Sequence, residues 1–169
     1  MRVLVAYATK SGSTAGIAKA IGEELDRMGL ATDMHEVSEI RDLSPYRAVV
    51  LGSALYLGRW QKEALKFGKR HADELRRVPV WLFASGPLDR SAEETDIPPV
   101  EAAVELASRI HARGHRTFGG RVTEETKGFV AHSMVKQGRG GDFRNFDQIH
   151  GWAQEIGNEL LATPGLAAS

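Results

Sequence analysis

Four hydroxyl side chains, Thr9, Ser11, Ser13 and Thr14, crowd into one short stretch near the start of the chain, with Lys10 and Gly12 between them. They follow an apolar run through Val3, Leu4, Val5 and Ala6, and they precede Ile17, Ile21, Leu25 and Met28, which recur at helical spacing. A buried strand therefore feeds a hydroxyl loop that opens a helix. The first turn of such a helix carries N–H groups without intrahelical partners and the positive end of the helix dipole, so it can hold a phosphate without a lysine. The hydroxyls add neutral donors, and hydrogen bonds to charged groups contribute roughly 1.5 to 3 kcal/mol each. Gly12 lets the backbone come close to a ligand. Lys10 is open to two roles, a partner for the phosphate or a solvated side chain. The plainer alternative for the whole loop is an ordinary capped turn.

Two further stretches carry chemistry. Ser53, Ala54, Leu55, Tyr56, Leu57 and Gly58 lead to Arg59 and Trp60. They offer flat and apolar side chains suited to stack on a planar ring and exclude water, with Gly58 freeing the backbone to reach ring edges. Ser85, Gly86, Pro87 and Leu88, before Asp89, supply backbone donors and a second wall. The alternative for Tyr56 and Trp60 is a place in the core at the start of a helix.

Neither G-x-x-x-x-G-K-[ST] nor G-x-G-x-x-G follows the first strand, so nucleoside triphosphates and dinucleotides are not indicated. A phospho-receiver needs an acidic pair after strand one and an aspartate after strand three. Here those positions read Ala8-Thr9 and Gly52-Ser53.

The 169 residues contain 22 basic and 22 acidic side chains, with no long run of one sign. This balance gives no nucleic-acid or membrane-surface footprint. Cysteine is absent, which excludes disulfides, thiolate catalysis and Cys-ligated clusters, so redox chemistry needs a bound organic cofactor. No metal site is expected: His111 and His115 have i, i+4 spacing, but Gly114 intervenes. No apolar stretch reaches the roughly 18 residues of a membrane span, and the N-terminus lacks signal-peptide character, so a cytoplasmic location is expected.

The elements that position these loops follow from periodicity. Strands are expected near residues 2–8, 31–37, 48–51, 78–84 and 115–122, the last weakened by Gly119 and Gly120. Helices are expected between them: one marked by Trp60, Ala64, Phe67, His71 and Leu75, and one after Asp96 and Pro98-Pro99 that ends at Gly114. A final helix starts near Asn145, with Gln148 placed as in a capping box, and buries Phe146, Ile149, Ala153, Ile156 and Leu160. The alternation predicts an α/β fold, a five-stranded parallel sheet of order 2-1-3-4-5 with helices on both faces. Residues 1–162 are expected to form a single domain, with 163–169 a tail. In that order a ligand sits at the carboxyl ends of the strands, so the loops at 9–14, 53–60 and 85–89 converge.

Thr9-Lys10-Ser11-Gly12-Ser13-Thr14 resembles the [ST]-x-[ST]-G-x-[ST] loop with which flavodoxins hold the phosphate of FMN. Together with residues 52–58 and the late stretch 140–149, which includes Gly141-Asp142-Phe143-Arg144, it resembles the flavodoxin-domain family that includes the menaquinone-dependent protoporphyrinogen oxidases of heme biosynthesis. The resemblance implies noncovalent FMN, its phosphate on residues 9–14 and its ring between 53–58 and 85–88. It also implies removal of hydrogen from a reduced substrate and transfer of electrons to a quinone. The alternative is an electron-transfer flavodoxin that serves a partner protein and has no substrate of its own. Arg139 and Arg144 flank Asp142 and suit fixing the last helix. Two departures bear on the substrate: residues 123–141 are short where the oxidases carry a longer apolar and basic insertion, and Leu55 precedes Tyr56 where they tend to have arginine. The short segment's apolar face, with Phe129, Val130, Met134 and Val135, is small for membrane docking.

Overall fold

The protein is described by a computed structural model over residues 1–126 and 128–166; Lys127 and residues 167–169 of the expected tail lie outside the described residues. Five strands, β1 (Arg2–Ala8), β2 (Ala31–Glu36), β3 (Ala48–Tyr56), β4 (Val80–Ser85) and β5 (Gly114–Phe118), form a parallel sheet of order β2-β1-β3-β4-β5. The helices α1 (Ser13–Arg27), α2 (Lys62–Arg70), α3 (Glu101–Ile110) and α5 (Phe146–Ala162) cover it, and α4 (Phe129–Lys136) stands apart. This is the flavodoxin-like order that the strand and helix alternation predicts.

The central strands are apolar on both faces because both faces are covered. Successive strand side chains point to opposite sides, so Val3, Val5, Phe83 and Phe118 pack with α1 and α5, while Leu4, Ala6, Leu51 and Leu82 pack with α2 and α3. On the first face Phe83, Phe118 and Trp152 form a cluster with ring centroids 5.6 to 6.3 Å apart, the two phenyl rings tilted to each other and both edge-on with Trp152. Gly52 makes room for it: a Cβ there would collide with the Phe83 ring. Buried Glu24 of α1 pairs with Arg27 and accepts from Gln154 Nε2 of α5 at 2.8 Å, tying the two helices together. Among the described residues no helix is long and apolar enough to cross a membrane.

Four expectations change. β3 does not stop at Leu51 but runs to Tyr56, because Leu55 and Tyr56 gain antiparallel partners in Trp60 and Arg59. Trp60 therefore sits buried on a short return strand and α2 starts after it, with the helix broken again at His71. α3 ends at His111 in the left-handed conformation (φ 57°), before Gly114, which instead opens β5. β5 itself stops at Phe118, because Gly119 presses on the Phe143 carbonyl so tightly that any Cβ would overlap its oxygen.

The α5 start is nearer to the expectation. Asn145 Oδ1 accepts from the Gln148 N–H at 3.1 Å, while the Gln148 side chain donates to the Ala92 carbonyl rather than closing a capping box. Phe146, expected in the core, is 38% exposed, with the Arg144 guanidinium 5.1 Å from its ring centre.

Candidate functional site

The strand register brings the loops together. Ala8 lies beside Ser53, Ser53 beside Ala84, and Ser85 beside both Ala54 and Phe118, so four strand ends fall in one line. The chain leaves all four at the same edge of the sheet, where a switch-point crevice forms.

At that edge Gly12, in the left-handed region (φ 85°), turns the chain into α1, and no side chain caps the helix. The first-turn N–H groups are thereby left for a ligand. The Gly12 N–H itself donates to Thr9 Oγ1 at 2.9 Å, which shapes the loop. Behind it the hydroxyls of Thr14 and Ser13 lie 3.2 and 3.5 Å from Ser85 Oγ, all three residues buried. This cluster locks the α1 start to the end of β4. In the next loop Ser53 Oγ accepts from the Gln61 N–H at 2.8 Å and donates to the Ala54 carbonyl.

A cavity of about 590 Å³ opens between these loops, within the range of small-molecule sites. Its inner wall is Lys10, Ser11, Ser13, Ala54, Leu55, Tyr56, Leu57, Gly58, Ser85, Gly86, Pro87 and Leu88. Thr9, Gly12, Thr14 and Ser53 do not line it: they build the loops from behind, and the hydroxyls of Thr9, Thr14 and Ser53 are spent on protein partners. Sequence reasoning missed the outer wall, which includes Gly120, Arg121, Val122, Thr126, Phe129, Val130 and Met134. The available signal was the group Phe129, Val130 and Met134, apolar side chains in a short polar segment with no core to join. α4 buries none of its residues, and Phe129 is 89% exposed.

The tip of the inner wall is strained. Leu57 (φ 50°) and Gly58 (φ 71°) form a two-residue turn between Tyr56 and Arg59. Both positive φ values mark the hairpin type that favours Asn-Gly, and a left-handed leucine costs about 1–2 kcal/mol. Leu57 is also 75% exposed, at the cavity mouth. Lys10 Nζ sits 3.3 Å from the Tyr56 ring centre, joining the hydroxyl loop to the aromatic one through a cation–π contact.

Charge around the cavity has one sign. Among the described residues its lining contains Lys10 and Arg121 and no carboxylate. Nearby, Arg144 forks onto Asp142 through two bonds of 2.9 and 2.8 Å, which holds the Asp142 carboxyl below its usual range. The same guanidinium packs over α1, where a Cβ on Gly16 would collide with Arg144 Nη1. Arg144 thus pins the late segment to α1. His111 is the α3 cap, and His115 lies in β5 with both ring nitrogens buried and unpartnered, so the helical spacing of a metal pair does not form. Burial lowers the His115 pKa from 6.5 to about 4, against an opposing pull from Asp96.

The flavodoxin-domain profile matches residues 4–140, and the chain belongs to that family. Its cofactor is FMN. Solved structures agree on the fold: an archaeal flavodoxin superposes with a TM-score of 0.67 at 13% identity, covering 94% of this chain and 98% of that one. A single-site mutant of the flavodoxin from Pseudomonas aeruginosa gives 0.64 at 14% identity over 96% and 100% of the two chains. Among curated proteins, the protoporphyrinogen IX dehydrogenase [quinone] of Escherichia coli (strain K12) is 27% identical over 96 residues, which is 56% of this chain and 53% of that protein. The chain therefore spans about half the length of the curated relatives it matches.

The residues present fit FMN. An uncapped helix start with Ser11 and Ser13 at the cavity suits a phosphate dianion, and the flat Tyr56 side chain with Leu55, Pro87 and Leu88 suits a planar ring. When bound, FMN supplies two-electron exchange at its ring. The protein is an FMN-type flavodoxin-like redox protein.

Proposed function

We propose that this protein is an oxidoreductase of the protoporphyrinogen oxidase type, one that removes hydrogen from a reduced substrate and delivers electrons to a quinone. In this reading the α1 start, residues 9–14, holds the FMN phosphate. Residues 53–58 and 85–88 hold the ring and keep water from it. Residues 1–162 act as a single cytoplasmic unit. The observation that carries the enzyme reading is the outer wall: Val122, Phe129, Val130 and Met134 extend the cavity beyond the three cofactor loops with apolar surface. A protein that only exchanges electrons with a partner needs an exposed ring edge, not an apolar chamber beside it. The partial likeness to a quinone-linked dehydrogenase supports the same class. No side-chain acid or base lines the inner wall apart from Lys10 and the Tyr56 hydroxyl, so the chain's contribution is binding, orientation and exclusion of water.

The test is an anaerobic assay of FMN-loaded protein with protoporphyrinogen and menadione, followed by porphyrin fluorescence. Turnover that requires both FMN and quinone supports the reading. FMN binding without turnover of either compound leaves the electron-transfer flavodoxin, and a colourless protein that takes up no FMN at micromolar concentration removes both.

A further inference from the structure

Among the described residues the cavity has apolar walls and two cations, and the two stand on opposite walls. Lys10 belongs to the hydroxyl loop and rests on the Tyr56 ring. Arg121 belongs to the outer wall, on the two-residue strand Arg121–Val122 that follows β5. Its Nε is buried and has no hydrogen-bond partner. Among the described residues no carboxylate lies within ion-pair distance of its guanidinium. The nearest acid by register is Asp142, directly across the ribbon; its hydrogen bonds go to Arg144, and it acts on Arg121 only through charge, without an ion-pair contact. A buried donor left without a partner costs about 1–3 kcal/mol, and Arg121 lines the cavity with no ion pair among the described residues, so its charge is available to an anion that enters there.

The geometry points to Arg121 as the residue that selects an anionic group, a carboxylate, on the planar apolar molecule that enters beside the flavin. This rests on the enzyme reading above for the cavity's use, and it goes beyond that reading by assigning the residue that sets the preference for an acidic substrate. The rest of the outer wall suits the apolar body of such a molecule: Val122, Phe129, Val130 and Met134 supply hydrophobic contact, and Thr126 is the one hydroxyl among them. Arginine presents a planar fork that matches a carboxylate with two parallel bonds. The phosphate of FMN belongs to the other wall, at the α1 start, which leaves Arg121 for a second anion. Arg121 touches no reacting atom in this assignment and acts on affinity, so its loss raises KM far more than it lowers kcat.

The experiment uses two probes of one shape, 2-naphthoate and 2-naphthamide, titrated calorimetrically into FMN-loaded protein and into the protein as purified. Wild type is expected to bind the carboxylate about tenfold or more tighter than the amide. R121M, which keeps an apolar stem, is expected to abolish that preference, and R121K to restore part of it through charge without the fork. Raising the salt concentration should weaken naphthoate and leave naphthamide unchanged, a readout on wild type that stands even if a variant folds poorly. Equal affinity of wild type for the two probes overturns the assignment, as does a preference that survives in R121M. The ratio of FMN to riboflavin affinity is measured alongside. If R121M lowers that ratio, Arg121 holds the cofactor phosphate and the assignment fails. If wild type takes up no FMN, the cofactor reading fails separately, while the probe comparison on the protein as purified still decides Arg121.

Discussion

The two walls of the cavity are built in opposite ways. The inner wall grows from the ends of β1, β3 and β4 and is fixed from behind by buried hydroxyls, with Thr14 and Ser13 on Ser85 and Ser53 on the Gln61 N–H. The outer wall stands on the ribbon Arg121–Val122 and Gly141–Asp142 and on α4, which buries no side chain. The inner wall is therefore coupled to the core, and the outer wall is tied to it mainly through the Gly120 N–H on the Pro87 carbonyl and through Arg144 against α1. A cofactor common to a family needs the first kind of support, because geometry at its phosphate and ring must be held closely. A wall that recognises a particular substrate can be rebuilt without disturbing the sheet.

The comparison breaks most readily at its foundation. Gly52→Val drives a side chain into Phe83 in the middle of the buried aromatic cluster, and a loss of about 3 kcal/mol is expected, read from urea unfolding. Ser13→Asp comes next. A carboxylate at the start of α1 opposes a bound phosphate, so FMN affinity should fall about a hundredfold (~2.7 kcal/mol), and the melting temperature should fall as well because the buried Ser13–Ser85 contact is lost. Unchanged FMN affinity would place the phosphate away from this loop.

Leu57→Asn relieves the left-handed strain at the tip of the inner wall and should add about 1 kcal/mol of stability. If Leu57 is kept for contact with the ring, FMN affinity falls at the same time, and isothermal titration on both proteins separates the two effects. β5, the strand that leads into the outer wall, supplies a pH test. His115 is held neutral in the fold at a pKa of about 4 and gains its proton near 6.5 when unfolded. The unfolded chain therefore binds more protons between those values, and stability falls as pH drops from 6.5 to about 4. His115→Gln should flatten that part of the stability profile. The smallest effect is expected in the outer wall. Phe129→Asp changes an 89% exposed side chain, so stability should stay within about 0.5 kcal/mol, with FMN affinity unchanged and only naphthoate and naphthamide binding weakened. A large loss of stability from this variant would mean that the two walls are not independent.

Much of the inner wall was legible in the chain because its signals are local. An apolar run, a hydroxyl loop and helical spacing after Gly12 are read within a few residues of one another, and the order of five strands follows from alternation. The loop after β3 was legible only as a composition. Its hairpin depends on Leu55 and Tyr56 finding Trp60 and Arg59 across a tight turn, and a leucine in that turn runs against the usual residue preference. The outer wall left almost no local trace. Gly119 and Gly120 weakened the expected strand, but the reason that it ends at Phe118 is the carbonyl of Phe143, far along the chain.

The sequence by itself determined the sheet, the hydroxyl loop that opens α1 and the absence of cysteine, because those depend on residue types at short range. Only the tertiary structure decided which hydroxyls face the cavity and which are spent on Ser85 and Gln61, and it alone brought Arg121 and α4 opposite residues 54–58 and 85–88. Those outcomes depend on strand register and on the packing of a late segment against α1 through Arg144 and Gly16. Distance along the chain hides such contacts, and close packing settles them.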